Sequence, residues 1–184
     1  MTGKGFNEKE ITENLRDENL RAAAFSAIVN RYSQQIYWHI RRMVLSHDDT
    51  NDLVQNTFIK AWTSIDNFRG DSKISTWLYR IAINETLNFL GKNKNNTVSI
   101  NSPEGAIAEQ LESDIHFNGE RADALLQEAI HRLPEKQRLA FNMKYYEEMK
   151  YEEMSEILGT SVGALKASYH IAVKKIEDYI NSQD

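Results

Sequence analysis

Apolar side chains in this sequence recur at intervals of three and four residues through long stretches that contain almost no glycine or proline. One stretch carries the series Phe25, Ile28, Tyr32, Ile36 and Ile40. Such spacing places apolar groups on one side of an α-helix, whereas a strand would alternate them. The 184 residues include only 2 prolines and 8 glycines, and no segment alternates long enough to indicate a strand. We therefore predict an all-α fold.

Three helices are predicted in the first half of the chain. The first runs from Leu20 to Ser46, and the second continues to Ile65 after a cap at Asp48-Asp49-Thr50. Short polar residues of this kind favour helix starts because their side chains accept from exposed backbone N–H groups. A loop from Asp66 to Asp71 follows, and Ser72 is the predicted cap of a third helix. Its core face is predicted to hold Ile74, Trp77, Leu78 and Ile81.

The sequence changes character between residues 93 and 121. From Thr97 to Glu120 it holds five acidic residues and no Lys or Arg, together with Pro103, Gly105 and Gly119. Few apolar groups and several helix breakers are typical of a flexible linker, with a short helix predicted around Ala106–Leu111. We therefore predict two small helical domains, residues 20–92 and 122–181, joined by an acidic linker at 93–121.

The second predicted domain ends in a helix-turn-helix pattern. A short helix, Glu152–Leu158, is followed by the turn Gly159-Thr160-Ser161 and a helix over Val162–Ile180. Glycine supplies the backbone turn, and a serine caps the helix that follows. Residues 161–176 contain three lysines and no acid, so positive charge is concentrated on the second helix. This pattern indicates a DNA-binding helix, although a lysine-rich solvated face has the same composition.

Composition excludes several classes of protein. There is no cysteine, which rules out disulfide scaffolds, Cys-ligated metals and thiol catalysis. No apolar run approaches a membrane span, and the first residues lack the core of a secretory signal, so a cytoplasmic protein without membrane insertion is expected. His47, Asp48, Asp49 and Asp52 have no second histidine nearby and read as helix caps rather than as a metal site. We expect no cofactor and no catalytic residues.

Two segments resemble bacterial RNA polymerase sigma factors. The stretches NDLVQNTFIKAW and FRGDSKISTWLYRIAINETLNFLGK resemble their second region, and LPEKQRLAFNMKYYEEMKYEEMSEILGTSVGALKASYHIAVKKIE resembles their fourth. Order and spacing are those of the small extracytoplasmic-function type. The resemblance implies a non-enzymatic alternative sigma factor that binds core RNA polymerase and directs initiation at promoters with matching −35 and −10 elements.

The resemblance assigns roles to residues of the first domain. On the helix from Asp49 to Ile65, the outward face that docks on the polymerase's largest subunit would hold Asp52, Gln55, Asn56 and Ile59. The loop and third helix would read the −10 element and bind an extruded base, with Asn84 offering a donor and an acceptor. The other −10 residues implied are Asn67, Arg69, Lys73, Tyr79 and Arg80, with Tyr79 expected to face away from the core as a stacking platform. Glu85 departs from the basic residues that the family often shows after this asparagine.

The resemblance also implies that the last helix enters the major groove at the −35 element. The candidate contacts are Ser161, Gly163, Ala164, Lys166, Ser168, His170 and Lys174. The family commonly has arginine at the positions of Ser168 and Ile171, so an arginine–guanine pair is excluded there.

Two other functions remain open from the sequence. An ordinary dimeric helix-turn-helix regulator would bind an operator alone, and a helical adaptor would bind only proteins. For a sigma factor the partners are core RNA polymerase and promoter DNA. Many family members are held by an anti-sigma factor, and an acidic two-domain chain is compatible with that partner.

Overall fold

The computed structural model describes residues 6–96 and 121–183, which form helices and no strand. The helices are α1 (Glu8–Asn14), α2 (Arg21–Arg41), α3 (His47–Thr63), α4 (Ile74–Asn96), α5 (Arg121–His131), α6 (Glu135–Tyr145), α7 (Tyr151–Leu158) and α8 (Val162–Asn181), with a 3₁₀ turn at Ile65–Asn67. The all-α prediction is confirmed. The expected helix around Ala106–Leu111 and most of the linker lie outside the described residues.

The chain divides into two compact units, Met1–Gly91 and Lys92–Asp184. In the first unit α2 packs on α1 and α3, and its largest fully buried apolar side chains are Ile28, Ile36, Ile40, Met43, Ile74 and Leu78. In the second unit α8 packs on α5, α6 and α7, and one of its core clusters consists of Ala129, Ile130, Leu133, Phe141, Ala172 and Ile176.

The boundaries of the first helices differ from the prediction. Helix α2 ends at Arg41, and α3 is capped by Ser46, whose hydroxyl accepts from the Asp49 N–H at 3.2 Å. Helix α4 begins at Ile74, so Ser72 is not its cap. The Ile74 N–H donates instead to the Glu8 carboxylate at 2.5 Å. Helix α1, for which the sequence predicted no element, thus supplies a cap from 66 residues away.

The helix-turn-helix prediction is confirmed in detail. Helix α7 ends at Gly159 in the left-handed conformation, with φ of +62°, which glycine adopts without strain. Helix α8 then starts at Val162 and is capped by Ser161, whose hydroxyl accepts from the Ala164 N–H at 3.3 Å. Met154, Ile157 and Leu165 are buried where the two helices pack, whereas Ile171, further along α8, is exposed.

A pair of glycine substitutions tests the loop before α4. Gly70 has φ of +79°, and a Cβ there would lie 3.0 Å from the Thr12 Cγ2. Gly70→Ala is expected to lower the free energy of unfolding by about 1–2 kcal/mol, since an L-residue is strained in this conformation. Gly91→Ala, in α4 with open space around it, is expected to raise that free energy by roughly 0.5–1 kcal/mol.

Urea unfolding followed by tryptophan fluorescence measures both changes in the first unit, because all three tryptophans, Trp38, Trp62 and Trp77, lie there. A free energy of unfolding for Gly70→Ala equal to or above that of the parent would contradict the strain assigned to Gly70.

Candidate polymerase and nucleic-acid interfaces

Helix α3 presents a continuous exposed face. Asp52, Gln55, Asn56 and Ile59 are all exposed, and their spacing places them on one side of the helix. Ile59 is 53% exposed, which is unusual for a large apolar side chain. The opposite side of α3 is buried through Leu53, Phe58 and Ala61. We name the four exposed residues the α3 face.

Trp62 extends this surface rather than joining the core. The apolar series Leu53, Phe58 and Trp62 in the sequence would suggest a buried position, but the Trp62 side chain is 41% exposed. Its ring contacts Phe25 edge-on at 5.1 Å between centroids, and its remaining surface faces solvent. It lies about one helical turn beyond Ile59 and two turns beyond Gln55, so it gives the end of the α3 face an apolar character.

The loop between α3 and α4 exposes its polar side chains and buries one ring. Asn67 and Arg69 are exposed, whereas Phe68 is buried and lies against Trp77 with 4.9 Å between ring centroids. Asp66 pairs with Arg21 of α2 at 2.9 Å. The buried ring therefore fixes the loop to α4 while the neighbouring polar groups face solvent.

Four side chains form a row along α4. Lys73, at the helix start, is followed by Trp77, Arg80 and Asn84 at intervals of four, three and four residues, which place them on one side of a helix. Lys73, Arg80 and Asn84 are exposed and Trp77 is half-buried. We name these residues the α4 row. It combines an aromatic surface, two cationic groups and an amide, and its first residues adjoin the loop.

The prediction for Tyr79 is wrong. Its side chain is only 5% exposed, and its ring contacts the fully buried His39 edge-on at 5.1 Å. The core side of α4 consists of Ile74, Leu78, Tyr79, Ala82 and Ile83, which are buried. Tyr79 therefore has no surface for stacking on a base. Trp77, which the sequence assigned to the core, is the aromatic residue of the exposed row.

Glu85 has a structural partner that accounts for its place in the sequence. Its carboxylate pairs with the ammonium group of Lys60 on α3. The acidic residue directly after Asn84 therefore links α4 to α3. The positive charge of Lys60 offsets its negative charge, so Glu85 lowers the potential at the neighbouring α4 row less than an unpaired carboxylate would.

Helix α8 exposes most of its predicted contacts. Gly163, Ala164, Lys166, His170 and Lys174 are exposed, and so is the cap residue Ser161. Ser168 is half-buried because it lies next to the side of α8 that packs on the unit through Leu165 and Ala172. The predicted residues thus surround the outer half of the helix rather than forming one narrow row.

The Lys166 side chain contacts an aromatic ring of α7. Its Nζ lies 5.6 Å from the centroid of the Tyr151 ring, and the Nζ of Lys144 lies 5.1 Å from the same ring. Burial raises the pKa of the Tyr151 hydroxyl, and Tyr169 adds to that rise. The ring is therefore neutral at physiological pH, and its face attracts both ammonium groups.

Two exposed residues of α8 were missed by the sequence prediction. Ala167 is exposed, and Ile171 is 44% exposed. With Gly163, four residues before Ala167, they lie along the outer side of the helix. The interval of four residues was the available signal. The outer side of α8 is therefore small and apolar from Gly163 to Ile171, with Lys166 at its edge and Lys174 one turn beyond Ile171.

The described residues contain no group of three His, Asp or Glu side chains that could hold a metal ion. His47, the histidine beside the acidic residues of α3, shares a 2.8 Å hydrogen bond with the Tyr37 hydroxyl. In the same part of the chain, no helix has the length and apolar character needed to cross a membrane.

Comparison with known proteins matches each unit to a family. Residues 28–96 match Sigma-70 region 2, and residues 123–176 match Sigma-70 region 4. The chain is 32% identical over 173 residues to the ECF RNA polymerase sigma-E factor of Haemophilus influenzae, covering 85% of this chain and 87% of that protein. It is 33% identical over 156 residues to the ECF RNA polymerase sigma factor SigW of Bacillus subtilis, covering 80% and 83%.

A solved structure shares the fold. The sigma factor RpoE from Bartonella quintana, in a co-crystal with the anti-sigma factor NepR, superposes with a TM-score of 0.66 at 22% identity, covering 85% of this chain and 96% of that one. Two regions matched in order, and relatives aligned over most of both sequences, agree with the helical units and the helix-turn-helix described above. The chain belongs to the extracytoplasmic-function (ECF) family of RNA polymerase sigma factors.

Proposed function

We propose that this alternative sigma factor directs promoter-specific initiation through three surfaces, the α3 face, the α4 row with its loop, and the outer side of α8. The observation that carries the proposal is the α4 row, since its polar side chains are exposed beside a loop in the unit that matches Sigma-70 region 2. The proposal assigns residues 20–92 to the domain that binds core polymerase and the −10 element, residues 93–121 to the acidic linker, and residues 122–181 to the domain that binds the −35 element.

The α3 face is the proposed contact with core polymerase. Asp52, Gln55, Asn56 and Ile59 offer polar groups and one large apolar side chain to a partner helix pair. A helix laid against a partner through residues three and four apart is a common mode of recognition. Trp62 enlarges the apolar end of this contact, and aromatic residues frequently contribute much of the binding energy.

The α4 row and the loop are the proposed reader of the −10 element. Extruding a base costs a few kcal/mol, which a pocket must offset with hydrogen bonds and stacking. Asn84 supplies donor and acceptor groups, Trp77 supplies an aromatic surface, and Lys73 and Arg80 offer positive charge to phosphates. Asn67 and Arg69 of the loop complete the polar surface beside the base.

The outer side of α8 is the proposed reader of the −35 element. Gly163, Ala164, Ala167 and Ile171 let the helix approach base edges closely, and apolar side chains can contact thymine methyl groups. His170 and Lys174 are the proposed phosphate contacts, and the contact of Lys166 with Tyr151 supports a role for this lysine at the edge of the same surface. Ser161 lies at the exposed N-terminus of α8, where the positive end of the helix dipole favours a phosphate of the DNA backbone.

The chain supplies specificity rather than catalysis. Each DNA-reading surface is small, so promoter affinity depends on the polymerase holding both readers at one separation. The chain acts in the cytoplasm, where the polymerase meets chromosomal DNA. An anti-sigma factor is a further proposed partner, supported by the similarity of fold to a sigma factor that was solved with one.

Transcription with purified core polymerase and a promoter library tests this function. The full chain is expected to co-elute with core enzyme and to produce start sites that core enzyme alone does not use. Failure to co-elute, together with no new start site, would contradict the proposal. A two-fold symmetric footprint made by the chain alone would instead support an ordinary dimeric regulator.

A further inference from the structure

Helix α1 precedes the part of the chain that matches Sigma-70 region 2, which starts at residue 28, and it contacts the loop that we propose as part of the −10 reader. The first contact is the hydrogen bond from the Ile74 N–H to the Glu8 carboxylate. Ile74 is the first residue of α4, where backbone N–H groups have no partner within the helix. A carboxylate there also lies at the positive end of the helix dipole. Glu8 therefore fixes the point where the loop becomes α4.

Arg16 makes a second contact, in the middle of the same loop. Its Nη2 donates to the backbone carbonyl oxygen of Arg69 at 2.7 Å. Between these two contacts, Thr12 lies so close to Gly70 that a Cβ on the glycine would stand 3.0 Å from the threonine methyl carbon. Glu8, Thr12 and Arg16 are each four residues apart, so they form one side of the N-terminal segment.

The N-terminal segment is itself fixed to the unit. Leu15 is buried, and the ring of Phe6 contacts Tyr32 of α2 edge-on at 5.6 Å. Arg21 joins the segment to the loop a third time, since its Nε donates to the Leu15 carbonyl oxygen and its Nη2 pairs with Asp66, both at 2.9 Å. The loop is therefore held from Asp66 to Ile74 by residues that come before residue 22.

Glu8 and Arg16 contact the backbone at Ile74 and Arg69, so they hold the path of the loop without engaging the Asn67 and Arg69 side chains. The exposed Asn67 and Arg69 side chains stay available to a ligand while the chain between them is fixed. A loop that had to order when a base arrived would add a conformational entropy cost to base extrusion. A loop that is already ordered avoids that cost.

We infer that Glu8, Thr12 and Arg16 are positioning residues for −10 reading, which hold the loop from Asp66 to Lys73 in the shape that receives the extruded base. The inference rests on the proposed function of the α4 row. It adds a segment outside the region 2 match to the strand-opening machinery, and it assigns that segment no contact with DNA.

The test uses the full chain in holoenzyme with core polymerase. Glu8→Ala is compared with Glu10→Ala, which removes the same charge from an exposed position on the same helix. Binding of a single-stranded non-template −10 oligonucleotide is measured by fluorescence anisotropy, and core affinity and the urea midpoint of tryptophan fluorescence are measured beside it. Glu8→Ala is expected to weaken oligonucleotide binding about tenfold, which equals about 1.4 kcal/mol, with core affinity unchanged. Glu10→Ala is expected to resemble the parent.

Conservative variants keep the test decisive if Glu8→Ala does not fold. Glu8→Gln retains an oxygen that accepts from Ile74, and Arg16→Lys retains a donor to Arg69, so both are expected to fall between the parent and the alanine variants. Equal oligonucleotide binding by the parent and by folded Glu8→Ala would overturn the inference and leave the proposed function intact. Loss of core affinity in parallel with oligonucleotide binding would also overturn it, because the role would then be merely structural. A parent holoenzyme that binds no −10 oligonucleotide would contradict the proposed function itself.

Discussion

Replacing Ile59 with arginine is expected to weaken binding of the chain to core RNA polymerase by about two orders of magnitude, near 3 kcal/mol. Ile59 is the large apolar member of the α3 face and is 53% exposed in the unit itself. Its burial in a complex would contribute favourable free energy, and an arginine there would place an unpaired charge in the contact. Competition for core enzyme against a labelled copy of the chain measures the change, and promoter-directed transcription should fall in parallel.

The matched control is Gln34→Arg, which introduces the same side chain at an exposed position on α2. Both variants should keep the helical circular dichroism of the parent, since neither side chain belongs to the core. If Ile59→Arg binds core enzyme like the control, the α3 face is not the polymerase contact. If both variants lose binding equally, the contact covers a wider part of the first unit than α3.

Helix positions followed from the sequence because apolar periodicity records which side of a helix is buried. Helix α8 begins at the predicted residue, and α7 begins at Tyr151, one residue before the predicted start. Their limits are marked locally by Gly159 and Ser161, whose backbone and side-chain preferences act within a few residues. The start of α4, in contrast, is capped by a residue that is distant in the sequence. Its partner is Glu8, and no local pattern around Ser72 carries information about a residue so distant in the chain.

The exposed row on α4 was only partly predictable. Trp77 and Tyr79 are two residues apart, so they lie on nearly opposite sides of a helix and only one of them can face solvent. Ile74, Leu78, Ile81 and Ile83 surround both rings in the sequence, and an apolar stripe this wide does not set the rotation of the helix. The rotation of α4 is set by two ring contacts, Tyr79 against His39 and Trp77 against Phe68. Both partners come from other elements of the fold.

Lys166 is a surface residue whose direction could not be predicted from the sequence either. The sequence identifies it as a cation on the DNA-reading helix, but its direction depends on Tyr151 of α7, with Lys144 of α6 on the same ring. A ring shared by two lysines holds them at one edge of the helix-turn-helix. The residues of the outer side of α8 are therefore smaller and more apolar than the charge of the helix suggests.

Replacing Asn84 with alanine is expected to reduce promoter opening by roughly 10- to 100-fold while leaving the unit folded. Asn84 is an exposed member of the α4 row, so its removal opens no cavity, and the free energy of unfolding should change little. An amide that pairs with a base edge through a donor and an acceptor contributes about 1–3 kcal/mol of discrimination. Permanganate reactivity of thymines near the start site measures opening, and affinity for core enzyme should stay at the level of the parent.

Asn88→Ala is the matched control, because Asn88 has the same side chain, is also exposed and lies one turn further along α4. If Asn84 binds an extruded base, a promoter that carries an abasic site at that base should be opened equally well by Asn84→Ala and by the parent, because the lost contact no longer exists in either complex. On the intact promoter, Asn88→Ala should open DNA like the parent. A deficit of Asn84→Ala that persists unchanged on the abasic promoter would show that the asparagine acts elsewhere, on the phosphate backbone or on the fold of α4. If the two variants open the promoter equally poorly, Asn84 has no special role. That result would contradict the proposal that the α4 row reads the −10 element.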